Sequence, residues 1–98
     1  MPDSIEAQHI LCSTNGDPDA AREQIDALAT KVAEGADFGE LAKEHSDCPS
    51  GRRGGDLGSF GRGMMVPEFE EAAFALEVGE TSGVVETDFG FHLIKRTA

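Results

Sequence analysis

Hydrophobic positions near the start of the chain alternate. Ile5, Ala7, His9 and Leu11 fall on one side of an extended backbone and Gln8, Ile10 and Cys12 on the other, which predicts a strand over Ile5 to Cys12 with His9 among apolar neighbours. Ser13-Thr14-Asn15-Gly16 reads as a turn. Asp17-Pro18 follows as a helix start, a capping acid before a proline at the first helical position. The helix is expected from Pro18 to about Glu34, because Ala21, Ile25, Leu28 and Val32 form one apolar stripe and Gly35 supplies a left-handed stop. Asp37 and Glu40 make a capping-box pattern that predicts a second, short helix from Phe38 to about His45.

From Ser46 to Gly63 the periodicity is lost in a glycine-rich loop, interrupted by Leu57-Gly58-Ser59-Phe60, which predicts a short strand. Pro67 then opens a third helix in which Phe69, Ala73 and Leu76 share a face and Gly79 closes the element. Gly83 to Glu86 and Phe91 to Arg96 read as strands joined by a tight turn at Thr87-Asp88-Phe89-Gly90, with His92, Ile94 and Arg96 facing one way and Phe91, Leu93 and Lys95 the other. The order βαα(β)αββ predicts an α+β domain on a mostly antiparallel sheet.

Length and charge narrow the function. Ninety-eight residues suffice for one core, so residues 1–98 are expected to form a single domain with one site. A net charge of −11, from 19 acids against 8 bases, is the wrong sign for nucleic acid. Two cysteines, Cys12 and Cys48, do not suggest a disulfide scaffold. No apolar run is long enough for a membrane span and Met1 to Leu11 lacks a leader pattern, so a soluble protein is expected; the cysteine content fits a reducing cytoplasm, and a monomer is expected. The three histidines and two cysteines show no metal-ligand spacing, and neither a metal nor a cofactor is expected.

Five segments in register, His9-Ile10-Leu11, Ala36 to Ser46, Cys48 to Phe60, Met65 to Phe69 and Phe89 to Lys95, closely resemble the signatures of the parvulin family of peptidyl-prolyl cis/trans isomerases. The resemblance implies a four-stranded antiparallel sheet surrounded by helices, with a shallow proline-binding site on one sheet surface. It further implies that His9 and His92 lie side by side under the site, with Cys48 as the polar loop residue above them. Leu57, Met65 and Phe69 would receive the proline ring, Thr87 would hydrogen-bond near the histidines, and Phe89 stands where relatives carry an aromatic residue or serine.

Those residue types suit rotation about an Xaa-Pro bond. The barrier of roughly 18–20 kcal/mol comes from amide resonance, and no bond need break to cross it. The planar amide carries more separated charge than the twisted one, so an apolar pocket favours the twist. Cys48 has two competing roles, a nucleophile or a polar group shaping the local field; relatives with aspartate at this position imply the second. The runner-up to catalysis is a chaperone-like module that binds proline-containing segments with little turnover.

A phosphate-directed site is not expected. Phosphorylation-directed parvulins carry a basic cluster after the first strand, whereas Ser13 to Asp19 holds Asp17 and Asp19 and no lysine or arginine. The expected partners are therefore unphosphorylated proline-containing peptides and unfolded proteins.

Overall fold

The computed structural model describes residues 4–13, 17–47 and 49–98. In chain order the elements are β1 (Ser4–Ser13), α1 (Pro18–Ala33), α2 (Phe38–His45), a 3-10 turn (Pro49–Arg53), β2 (Asp56–Gly61), α3 (Pro67–Ala75), β3 (Val85–Thr87) and β4 (Gly90–Arg96). The strands form one sheet in the order β2-β1-β4-β3, every pairing antiparallel. This is the expected α+β arrangement, with the first and last strands as central neighbours.

The helix starts follow from local chemistry. The Asp17 carboxylate accepts from the Ala20 amide ahead of Pro18, and the Asp37 carboxylate accepts from the Gly39 amide at the start of α2. α1 ends where Gly35 takes a φ of +99°, a region that an L side chain enters only with strain.

Period-two alternation on the central strands divides the core in two. Ile10, Cys12, Phe91 and Leu93 face α1 and α2, packing with Ala21, Ile25, Leu28, Phe38, Leu41 and Ala42. Ile5, Ala7 and Ile94 face the other way, packing with Phe60, Phe69, Ala73 and Leu76. The expected α1 stripe is buried at Ala21, Ile25 and Leu28, and Val32 is partly buried beside it.

Three boundaries differ from expectation. The loop after α2 contains the 3-10 turn Pro49–Arg53, and β2 begins at Asp56. α3 stops at Ala75: Leu76 is extended, its carbonyl accepts from the Arg96 guanidinium, and the Gly79 amide donates to the Arg96 carbonyl. The expected helix end at Gly79 is thus replaced by a docking of 76–80 onto β4. β3 runs Val85–Thr87 instead of Gly83–Glu86, because Ser82 pairs with Ile94 by exchanging backbone and side-chain hydrogen bonds outside regular strand geometry. Of the expected turn at 13–16, residues 14–16 lie outside the described residues.

The outer edge of β1 is covered along its length, which fixes the loop beside the site. β2 pairs with it from Ser4 to Gln8, with a register shift between Glu6 and Gln8. Beyond that point the Gly55 carbonyl accepts from the His9 amide at 2.9 Å, and the Gly54 carbonyl accepts from the Gln8 side chain at 3.0 Å. Further on, Ser46 Oγ accepts from the Leu11 amide, the Asp47 amide donates to the Leu11 carbonyl, and the Asp47 carboxylate accepts from the Ser13 amide.

Gly55 has a φ of +80°, and a Cβ there would stand 2.3 Å from the His9 carbonyl oxygen. G55A should therefore lower the unfolding free energy by at least ~2 kcal/mol through backbone strain and the forced retreat of the loop. The urea midpoint at constant m reports this. A midpoint equal to that of the parent protein would mean that the loop moves aside without cost.

Candidate functional site

The site grows out of the β1–β4 register. His9 stands opposite Ile94 and Leu11 opposite His92, so His9 and His92 are diagonal neighbours on one sheet face although 83 positions apart in sequence. Their rings lie nearly parallel, with an interplanar angle of 18° and centroids 5.5 Å apart, and the two Nδ1 atoms are 3.3 Å from each other. One Nδ1 must donate and the other accept, so the neutral pair shares a single N–H along that line.

The far side of His92 is held by the turn between β3 and β4. Thr87 Oγ1 is 2.7 Å from His92 Nε2 and also accepts from the Phe89 amide. The Phe69 ring meets both imidazoles in T-shaped contacts, centroids 5.5 Å away in each case. Phe69 thereby spans the pair from α3.

Burial decides the charge of the pair. His9 and His92 are 6% and 4% exposed. Desolvation pushes both pKa values from 6.5 down to about 4, and for His9 the neighbouring His92 charge adds to the fall. Both rings are neutral at pH 7.

Above the histidines lies an apolar cavity of about 500 Å³, lined by His9, Leu11, Asp47, Leu57, Met64, Met65, Val66, Phe69, Phe89 and His92. Leu57 comes from β2, Met64 to Val66 from the loop before α3, Phe69 from the first turn of α3, and Phe89 from the β3–β4 turn. Met64 and Phe89 are 69% and 61% exposed, forming apolar parts of the rim. The sole charged side chain lining the cavity among the described residues is Asp47.

Of the site residues expected from sequence, His9, His92, Leu57, Met65, Phe69 and Phe89 converge on this cavity. Thr87 reaches it through its bond to His92 and is not part of the cavity lining. Cys48 lies outside the described residues; its neighbour Asp47 lines the cavity. Sequence reasoning did not assign Leu11, Asp47, Met64 or Val66 to the site. The signal for Leu11 was available, since it shares the period-two face of His9, and the unbroken apolar run Met64-Met65-Val66 in a loop was a second one.

Cys12 belongs elsewhere. It is buried in the cluster under α1 and α2, and burial, with the Asp47 charge, raises its thiol to about 11, leaving it protonated and packed. Among the described residues no three histidine, cysteine, aspartate or glutamate side chains cluster in a way that would hold a metal ion, and no helix is long and apolar enough to cross a membrane.

Residues 9–98 match the family model described as Rotamase, a PPIC-type PPIASE domain. The chain is similar to the peptidyl-prolyl cis-trans isomerase Pin1 of Arabidopsis thaliana, 45% identical over 115 aligned positions that cover 98% of this chain and 97% of that protein. It is also similar to the foldase protein PrsA of Oceanobacillus iheyensis, 50% identical over 92 residues, covering 93% of this chain and 28% of the foldase. Among solved structures, that of TbPIN1 aligns over the whole of both chains with a TM-score of 0.93 at 34% identity. The parvulin of Nitrosopumilus maritimus, NmPin, aligns with a TM-score of 0.82 at 41% identity, over 100% of this chain and 99% of that one.

The buried pair generates a pH prediction. Between about 4 and 6.5 the unfolded chain binds protons at these histidines that the folded chain excludes. Their contribution to stability is therefore complete above pH 6.5 and is lost as the pH falls, by roughly 1.4 kcal/mol per pH unit for each histidine within that window. Urea midpoints recorded from pH 7 down to 5 should fall steadily. A flat profile would mean that the imidazoles accept protons in the folded state.

Proposed function

The chain belongs to the PPIC-type, or parvulin, family of peptidyl-prolyl cis-trans isomerases, and from that premise we propose that it turns Xaa-Pro bonds of unphosphorylated protein segments in the apolar cavity above His9 and His92. The observation that carries this reading is the cavity itself: an open apolar recess whose floor is a neutral histidine pair spanned by Phe69. In this reading Leu57, Met65 and Phe69 hold the proline ring while the preceding carbonyl swings. Met65 suits the task because its thioether adapts to the ring without a polar cost.

The energetic demand is modest. A spontaneous turnover time of roughly tens to hundreds of seconds becomes a rate near ~100 per second if the barrier falls by about 5–6 kcal/mol. Transfer of the amide out of water favours the less charge-separated twisted state, and confinement of the ring restricts motion to the productive rotation. The hydrogen-bonded chain Phe89 amide, Thr87 hydroxyl, His92, His9 fixes the floor, so that its dipoles need not reorganise as the carbonyl moves. Cys48, next to Asp47 in sequence, acts in this reading as a polar group and not as a nucleophile, since the pathway needs no covalent step.

The charge lining the cavity supports an unphosphorylated substrate. Asp47 faces it, and no arginine or lysine lines it among the described residues. A phosphate carries about −1.5 to −2 charges at neutral pH and would find no cation lining the cavity to compensate it. The 50% identity with a protein named a foldase supports help to folding chains as the biological use. One sheet shared by both hydrophobic clusters supports residues 1–98 as a single folding unit, and the free buried Cys12 thiol suits a reducing cytoplasm.

In a protease-coupled assay on short Xaa-Pro peptides, M65A should lower kcat/KM by at least about tenfold, the loss of one pocket contact in the transition state. If the unaltered protein at micromolar concentration left the spontaneous rate unchanged, the isomerase reading itself would be lost. A matched pair of Ser-Pro and phosphoserine-Pro peptides should show the plain peptide turned over faster. The reverse ranking would overturn the proposed substrate class.

A further inference from the structure

The wall of the cavity facing the sheet is the link between β2 and α3, residues 62–66, which carries Met64, Met65 and Val66 to the recess and has no regular secondary structure. An apolar loop that stands this far into water, with Met64 69% exposed, needs something to hold it. Glu70, immediately after Phe69 on α3, is placed to do so. Its side chain is only 19% exposed, and its two carboxylate oxygens meet different groups. Oε1 accepts from the Gly63 amide, and Oε2 lies 3.8 Å from the Arg62 guanidinium.

Arg62 is fixed in turn, its guanidinium lying 4.5 Å from the centroid of Phe74, one helical turn beyond Glu70. Phe74 packs edge-on against Phe60, and Phe60 against Phe69. Gly63, with φ +88°, presents its amide to the carboxylate, and the Gly61 amide donates to the Met64 sulfur at 3.2 Å. The carboxylate thus sits at the base of the loop, tied to the same aromatic group that carries Phe69.

We propose that Glu70 is a positioning residue for substrate binding, its carboxylate clamping residues 62–64 so that Met64 and Met65 stay turned toward the proline cavity. The clamp acts through the loop and touches no reacting atom, so its loss weakens capture of the peptide more than the rotation of a peptide already bound. This deepens the proposed function and rests on the cavity being the proline site. A simpler role exists for an acid in the first turns of a helix, a favourable interaction with the helix dipole, and a test must separate the two.

Glu68, exposed in the first turn of the same helix, shares the dipole but not the clamp, and is the control. E70A should raise KM for an Xaa-Pro peptide about five- to tenfold with kcat within about twofold, the expected size for losing a charge-assisted hydrogen bond. E70Q keeps an acceptor for the Gly63 amide and should restore most of the loss, and E68A should leave KM unaltered. In the free protein, the Met64 and Met65 methyl resonances should be dispersed in the parent and E70Q and collapse toward their unstructured positions in E70A.

Equal KM for E70A and its parent, an equal rise in E68A, or unchanged methyl resonances in E70A would overturn the clamp and leave the isomerase reading intact. Were the parent itself without isomerase activity, the proposed function would fall, and the methyl spectra would still decide whether Glu70 holds the loop.

Discussion

Two imidazoles that must stay neutral side by side constrain everything around them. His9 and His92 come from strands at opposite ends of the chain, and only the β1–β4 register puts them on adjacent diagonal positions of one face. A slip of one residue would send one of them into the cluster under α1 and α2, where neither hydrogen-bond partner exists. Burial then forbids a charge on either ring at neutral pH, so the pair is a fixed set of dipoles and not a proton store. Thr87 and Phe69 complete the arrangement, one holding the outer nitrogen of His92 and the other capping both rings.

The cavity exists because α3 covers only half of its sheet face. Along β1, Ile5 and Ala7 pack in the cluster with Phe69, Ala73 and Leu76, whereas His9 and Leu11, the next two residues on the same face, open into the recess. The opposite face is closed along its length by α1 and α2, which carry the larger share of the buried core. One face thus secures the fold while the other leaves apolar surface accessible. Phe69 belongs to both, as a core member with its ring turned to the histidines, and so couples the packing of the domain to the floor of the site.

What could be read from the sequence was local or periodic. Asp17 and Asp37 announced both helix starts because a capping carboxylate acts within three residues, and the face of His9 followed from alternation. The misjudged boundaries were set by distant partners. α3 ends at Ala75 because Leu76 and Gly79 bond to Arg96, a strand residue no local rule connects to them. The 3-10 turn and the start of β2 depend on Gly54 and Gly55 bonding to Gln8 and His9 across the register shift in β1. The histidine pair and the apolar recess were legible through the family resemblance, while the place of Asp47 was not, because its side chain is fixed by the Ser13 amide at the end of β1.

The small size and strong acidity of the chain fit the chemistry it performs. An isomerase must lower a rotational barrier without stabilising a full ionic charge, so it needs no metal, no ionised acid-base couple and no basic surface. What it needs is a rigid apolar recess with a few oriented dipoles, and three helices on four strands provide that within 98 residues. Among the described residues the acidic charge lies outside the cavity lining apart from Asp47, and the net charge of −11 favours solubility. A neutral floor also protects function from that surrounding field. Because the histidines do not take up protons near pH 7, the acidic surface does not put a charge on the floor of the recess.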